Sequence, residues 1–243
     1  MLKEMGLGPI WKLRQPPKKK RGAQSEAEPA APVDTRTLDT RTEAIAAMGW
    51  DELKQAVADC TACALCQTRK QAVLGVGDVN ADWLFIGEGP GAEEDERGEP
   101  FVGQAGKLLD AMLAAIDLKR GNQVYIANAV KCRPPGNRTP EPGETAACWP
   151  FLARQIELIN PKLIVTLGKP AAQTLLQQEV KIAAARGMVQ DFAGIPLSVA
   201  YHPADLLVEE RDGIGRRLGP VAGAVLPSDP DRLHALVDVV ADQ

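Results

Sequence analysis

Five cysteines, two histidines and one acidic glycine-rich loop hold most of the chemical potential of this 243-residue sequence. Cys60 and Cys63 form a C-x-x-C, Cys66 follows three residues on, and Cys132 and Cys148 lie far downstream. Four thiolates from such a set suit a [4Fe–4S] cluster or a zinc ion, and spacing alone does not choose between them. Nor does spacing say whether Cys66 replaces one of the other ligands. The loop Gly87-Glu88-Gly89-Pro90-Gly91 runs into Glu93, Glu94, Asp95 and Glu96. It lacks both the Gly-x-Gly-x-x-Gly pattern and a P-loop lysine, and its carboxylates would repel phosphate. Such a loop fits close backbone approach to an uncharged base, or the positioning of water.

The elements that must carry these groups follow from apolar patterning. Trp83–Ile86, Val124–Ala127, Leu163–Leu167 and Pro196–Tyr201 read as four buried strands. Helical patterns over Gln104–Ile116, Glu144–Ile159 and Pro170–Gln178 alternate with them. Ile45, Met48, Leu53 and Val57 suggest an amphipathic helix leading into Cys60, and a last helix is expected over Asp231–Ala241. Buried strands alternating with helices imply a three-layer α/β/α fold around a mainly parallel four-stranded sheet. Ligands bind such sheets beyond the carboxyl ends of the strands, which is where the acidic loop, NAVKCRPPGNR, GKPAA and HPADLL fall.

Composition sets the outer limits. Hydrophobic residues make up 45% and charged residues 25%, an ordinary globular balance, and the net charge of −4 confines any DNA contact to local basic strips. No apolar run approaches the roughly 20 residues of a membrane span, and MLKEMGLGPIWKLRQ lacks the apolar core of a secretory signal. A cytoplasmic protein without membrane attachment is expected, in which an odd number of thiols favours metal ligation over disulfides. Residues 1–45 read as a disordered extension, most clearly from Gln15 to Thr42, and 46–243 as one domain. Within the extension, Lys18–Arg21 could touch DNA phosphates, and the peptide at Pro9, Ile10 and Trp11 could dock on a protein partner.

Four motifs give the sequence a more specific character. GEGPGAEED, GEPFVGQAG, VYIANAVKCRPPGNRTP and YHPADLL, in this order and with these cysteines, resemble a family 4 uracil-DNA glycosylase, the iron–sulfur branch of that superfamily. The likeness runs from about Asp51 to Leu207. It implies a structural [4Fe–4S] cluster held by Cys60, Cys63, Cys132 and Cys148, with Cys66 spare. It further implies uracil-containing DNA as substrate and a monomer as the active unit. Phe101 would stack on a flipped uracil, and Asn128 would read its edge through two hydrogen bonds. Main-chain groups of Gly87, Glu88 and Gly89 would approach the uracil carbonyls, and Glu94 would crowd the C5 position against thymine's methyl.

By the same resemblance His202 would donate to uracil O2 as negative charge develops on the leaving base. Leu206, four residues on, would fill the gap left by the flipped nucleotide. Gly89 stands where some relatives carry a water-activating aspartate, which leaves Glu88, Glu94 and Asn137 as candidates for holding water. The branch that captures uracil-DNA covalently uses a histidine that CRPPGNRTP lacks. A rival from another class is an iron–sulfur DNA-binding or redox-sensing module without hydrolytic activity, for which Phe101, Asn128 and His202 would be dispensable.

Overall fold

The structure is a computed structural model that describes residues 35–185 and 187–207. Its four central strands are β2 (Trp83–Gly87), β3 (Val124–Asn128), β4 (Leu163–Leu167) and β6 (Ile195–Ala200). They run parallel, within one or two residues of the bounds expected from the apolar runs. Two short strands extend the sheet, β1 (Val76–Gly77) and β5 (Gln190–Phe192), giving six strands in the order β1-β3-β2-β4-β6-β5. The expected four-stranded sheet is thus corrected to a mixed six-stranded one, with an antiparallel strand at each edge.

Alternation along the strands sorts side chains onto two faces. Leu84, Ile86, Ile164 and Leu197 face a core completed by α5 (Pro142–Ile159), α6 (Lys169–Leu176) and α7 (Ile182–Ala185). Phe85, Ile126 and Val165 face the opposite core, closed by Leu109 and Leu113 of α4 (Gln104–Ala114). The α/β/α layering follows directly from this. Truncating one such fully buried leucine costs about 2–5 kcal/mol.

A third cluster joins α1 (Thr35–Ala46) and α2 (Trp50–Ala58) to α5 through Ile45, Leu53, Val57 and Phe151. The expected single helix into Cys60 is therefore two helices, broken at Ala47–Gly49. Helix α1 also covers part of the stretch assigned to a disordered extension. Arg41 within it donates to the Ala147 carbonyl at 2.9 Å and lies 4.8 Å over the Phe151 ring. Pro9, Ile10, Trp11, Lys18–Arg21 and Asp231–Ala241 lie outside the described residues. Among the described residues no helix is long and apolar enough to cross a membrane.

Two short helices finish the positioning frame: α3 (Ala92–Arg97) after the acidic loop and α8 (Pro203–Leu206) after β6. Helix α4 ends two residues before the expected Ile116, and Asp117 turns the chain with φ of 58°.

Candidate active site

Strand register brings the site together. Gly87 and Asn128 are partners at the ends of β2 and β3. Leu167 and Ala200 are partners at the ends of β4 and β6, so Gly168 and His202 follow side by side. A Cβ on Gly168, where φ is 92°, would lie 3.1 Å from His202 Cβ. These ends open into a cleft of about 650 Å³ lined by Glu88, Gly89, Glu94, Phe101, Asn128, Asn137 and His202.

Asn128 is 2% exposed, and its Oδ1 is buried without a hydrogen-bond partner. A buried acceptor left unpaired is costly, so its presence at a cleft marks it as available to a ligand. Phe101 sits beside it in the left-handed region at φ 53°. A Cβ on Gly87 would lie 2.5 Å from Asn128 Oδ1 and 2.6 Å from Phe101 Cζ. Glycine at 87 is thus what lets both side chains close on the strand end. The Phe101 and His202 rings lie 5.5 Å apart with a 32° tilt.

His202 caps α8, its Nδ1 accepting the Ala204 N–H at 3.2 Å. With Nδ1 an acceptor, the neutral ring carries its proton on Nε2. Burial holds its pKa below the ordinary imidazole value, outweighing the nearby Asp205 and Glu94 carboxylates. Leu206, in the same short helix, is half-buried.

The three candidates for holding water separate on geometry. Glu94 spends both carboxylate oxygens on main chain: Oε2 accepts Gly91 N–H at 3.1 Å, and Oε1 accepts Val102 N–H at 2.9 Å and Gly103 N–H at 3.1 Å. Asn137, at φ 55° in the turn Pro135–Asn137, accepts the Arg133 Nε–H at its Oδ1 at 2.7 Å. Glu88 is half-buried and accepts from Thr139. Burial, with the Asp205 charge in support, raises its pKa above the usual carboxylate value, and the Thr139 bond acts against the rise.

A second locus lies behind β3. Cys60, Cys63, Cys66, Cys132 and Cys148 line one apolar-walled cavity together with Arg69 and Lys131. Arg69 Nη1 donates to Cys132 Sγ at 2.9 Å, Arg41 Nη2 approaches Cys60 Sγ at 3.7 Å, and Lys131 N donates to Cys148 Sγ at 3.2 Å. Burial pushes the Cys148 thiol up to about 12 and raises Cys132, while Lys131 and Arg69 respectively counter the rise. Cationic and N–H partners for sulfur suit thiolates, the form that binds metal. All five cysteines line that cavity, but no three His, Cys, Asp or Glu side chains among the described residues are grouped to hold a single ion. Lys131 is itself 1% exposed, and its Nζ donates to the Asn128 carbonyl at 2.8 Å, so it links the cysteine cavity to the cleft.

Sequence reasoning missed Arg120, which no motif marks. Its guanidinium donates to the Pro100 and Phe101 carbonyls at 2.7 and 2.8 Å. It also missed the clamping role of Glu94.

In sequence, the chain is similar to known proteins. The family profile described as the uracil DNA glycosylase superfamily matches residues 74–217. A type-4 uracil-DNA glycosylase of Archaeoglobus fulgidus is 39% identical over 191 residues, covering 73% of this chain and 96% of the relative. A type-4 enzyme of Thermotoga maritima is 46% identical over 160 residues, 64% of this chain and 81% of that one. A type-5 uracil-DNA glycosylase of Pyrobaculum aerophilum is more distant, 32% identical over 148 residues, 54% of this chain and 65% of that one.

Proposed function

The chain belongs to the type-4 uracil-DNA glycosylases of the uracil DNA glycosylase superfamily, and we propose that its base-excision chemistry takes place in the cleft beyond β2, β3, β4 and β6. It is an N-glycosyl hydrolase that removes uracil from DNA. The observation that carries the site assignment is Asn128, buried at a strand end with an unpaired Oδ1, beside the Phe101 and His202 rings.

A base flipped from DNA enters with its faces and edges exposed. The Phe101 ring stacks on the uracil. Asn128 Oδ1 accepts the uracil N3–H, and its amide donates to O4. The main chain of Gly87, Glu88 and Gly89 lies against the base carbonyls, an approach that glycine at 87 and 89 leaves open. Gly89 is also confined, since a Cβ there would lie 2.8 Å from Val130 Cγ2. Leu206 occupies the space vacated in the duplex. Glu94 clamps the chain over 101–103, and its contact with the C5 position would act through that clamp.

As the C1′–N1 bond breaks, the electron pair goes to uracil and positive charge to the sugar ring. His202 Nε2–H donates to uracil O2, where negative charge accumulates, in the manner of an oxyanion hole. Water then bonds to C1′ and gives its proton to the Glu88 carboxylate. Glu88 is the best supported holder of that water: main-chain N–H groups take both Glu94 oxygens and Arg133 takes Asn137 Oδ1, whereas Glu88 has only Thr139 as a partner and keeps carboxylate capacity for water. A stabilised oxocarbenium ion needs only a weak, well-placed nucleophile.

Cys60, Cys63, Cys132 and Cys148 would hold a [4Fe–4S] cluster, with Cys66 spare; the shared cavity and its cationic partners support that fit. Bound there, the cluster would supply a structural crosslink between the chain after α2, the exit of β3 and helix α5. A cytoplasmic monomer is proposed as the active unit. The Pro9-Ile10-Trp11 peptide is proposed as a protein-docking element.

The test is incubation with oligonucleotides bearing a single uracil or thymine, in single- and double-stranded form, followed by alkali. Strand breakage at uracil alone is expected. Breakage at uracil that persists in Phe101→Ala, Asn128→Ala and His202→Ala proteins would move the chemistry elsewhere.

A further inference from the structure

We infer that Arg120 is a positioning residue for base stacking: its guanidinium fixes the main chain of Phe101 and so sets where the ring meets the uracil. The inference rests on the stacking role proposed above for Phe101.

Phe101 has φ of 53°, a conformation that phenylalanine rarely adopts and that the surroundings must enforce. Three restraints converge on it. On the carbonyl side, Arg120 Nη1 donates to Pro100 O at 2.7 Å and Nη2 to Phe101 O at 2.8 Å, bridging two successive peptides. Just downstream, Glu94 Oε1 accepts both Val102 N–H and Gly103 N–H. Below, a Cβ on Gly106 would lie 1.7 Å from Phe101 O, so the carbonyl rests directly on the backbone of α4.

Arg120 is itself held. Its Nε and Nη2 donate to Asp110 Oδ1 at 3.1 and 3.0 Å, and its side chain is 19% exposed. Only a planar fork of donors serves two carbonyls and a carboxylate at once, so lysine is a poor replacement. Arg120 has no place in the cleft wall. Its effect on the reaction passes through the Phe101 peptide, whose ring lies against Gly87 and His202.

The test is a double-mutant cycle on the full chain, with excision measured under single-turnover conditions alongside thermal unfolding and visible absorbance. Loss of charge-assisted hydrogen bonds to the two carbonyls is expected to lower the single-turnover excision rate of Arg120→Ala roughly 10- to 100-fold. Arg120→Lys is expected to recover part of that loss. The decisive result is non-additivity: Phe101→Ala/Arg120→Ala is expected to be no slower than Phe101→Ala. Should Arg120→Ala fail to fold, Arg120→Lys carries the same cycle. Additive losses, or parental excision by Arg120→Ala while Phe101→Ala is impaired, overturn the inference. Parental excision by Phe101→Ala overturns the stacking role itself, and the positioning role with it.

Discussion

Gly87 and Asn128 stand in register at the ends of adjacent parallel strands, so close that a methyl on Gly87 would lie 2.5 Å from Asn128 Oδ1. The same methyl would press on the Phe101 ring, and both neighbours are buried. Gly87→Ala is therefore expected to displace the amide and the ring together. Excision of uracil should fall by about 100-fold or more, equivalent to roughly 2.7 kcal/mol of lost transition-state stabilisation. Single-turnover rates at saturating enzyme check this, and a rate within about threefold of parental would contradict the close packing.

The unpaired Asn128 Oδ1 predicts a ligand response that needs no DNA. Free uracil offers an N3–H to it, whereas 3-methyluracil does not. Uracil should raise the melting temperature in proportion to its saturation, and 3-methyluracil should have no effect. Asn128→Ala should abolish the uracil response and lower kcat/KM by roughly 10- to 100-fold. Equal stabilisation by both compounds would mean that the amide does not read the N3 position.

His202 sets a pH dependence with a definite sign. Its folded pKa lies below the ordinary value, chiefly through burial. Between that folded value and about 6.5 the unfolded chain holds the proton and the folded chain does not. Its contribution to stability is therefore full above about 6.5 and is lost as the pH falls to the folded value. Protonation at Nδ1 also removes the acceptor of the Ala204 N–H, so excision should decline in the same direction. Denaturant titrations from neutral to acidic pH should show this slope in the parent and a smaller one in His202→Gln. An unchanged slope would assign the titration to another group.

The cysteine cavity predicts a metal content. The purified protein should be brown and hold about four iron atoms per chain. Serine at 60, 63, 132 or 148 should abolish the visible absorbance, and Cys66→Ser should retain it. Loss of the metal should lower the melting temperature, because the crosslink joins separate elements. A colourless protein with one zinc per chain would replace the cluster.

The central strands were legible because Leu84, Ile86, Ile126 and Ile164 belong to short apolar runs buried on both faces. Strands β1 and β5 were not, since two or three half-exposed residues leave no period to read. The β5–β6 hairpin turns on Ala193 and Gly194, both at positive φ, a weaker turn signal than Asn-Gly. Asn128, Phe101 and His202 were found through motif resemblance, and the strand ends bring them together. The duties of Glu94 and Arg120 depend on distances across loops. Glu94 was assigned to the uracil C5 position and to holding water, with no sign of its main-chain bonds, and no motif marks Arg120.

Asn128 and Cys132 lie four residues apart on the single exit of β3, with the buried Lys131 ammonium tied back to the Asn128 carbonyl. An insertion or deletion in that stretch would shift the proposed base reader and the proposed cluster ligand at once, so lineages or designs can vary neither spacing independently. The far sheet edge has the opposite latitude. Nothing lies within 4 Å of a Cβ built on Gly194, at the tip of the β5–β6 hairpin. An inserted affinity handle or fused domain belongs in that turn, with Gly194 itself kept for its positive φ, where added chain leaves the exit of β3 undisturbed.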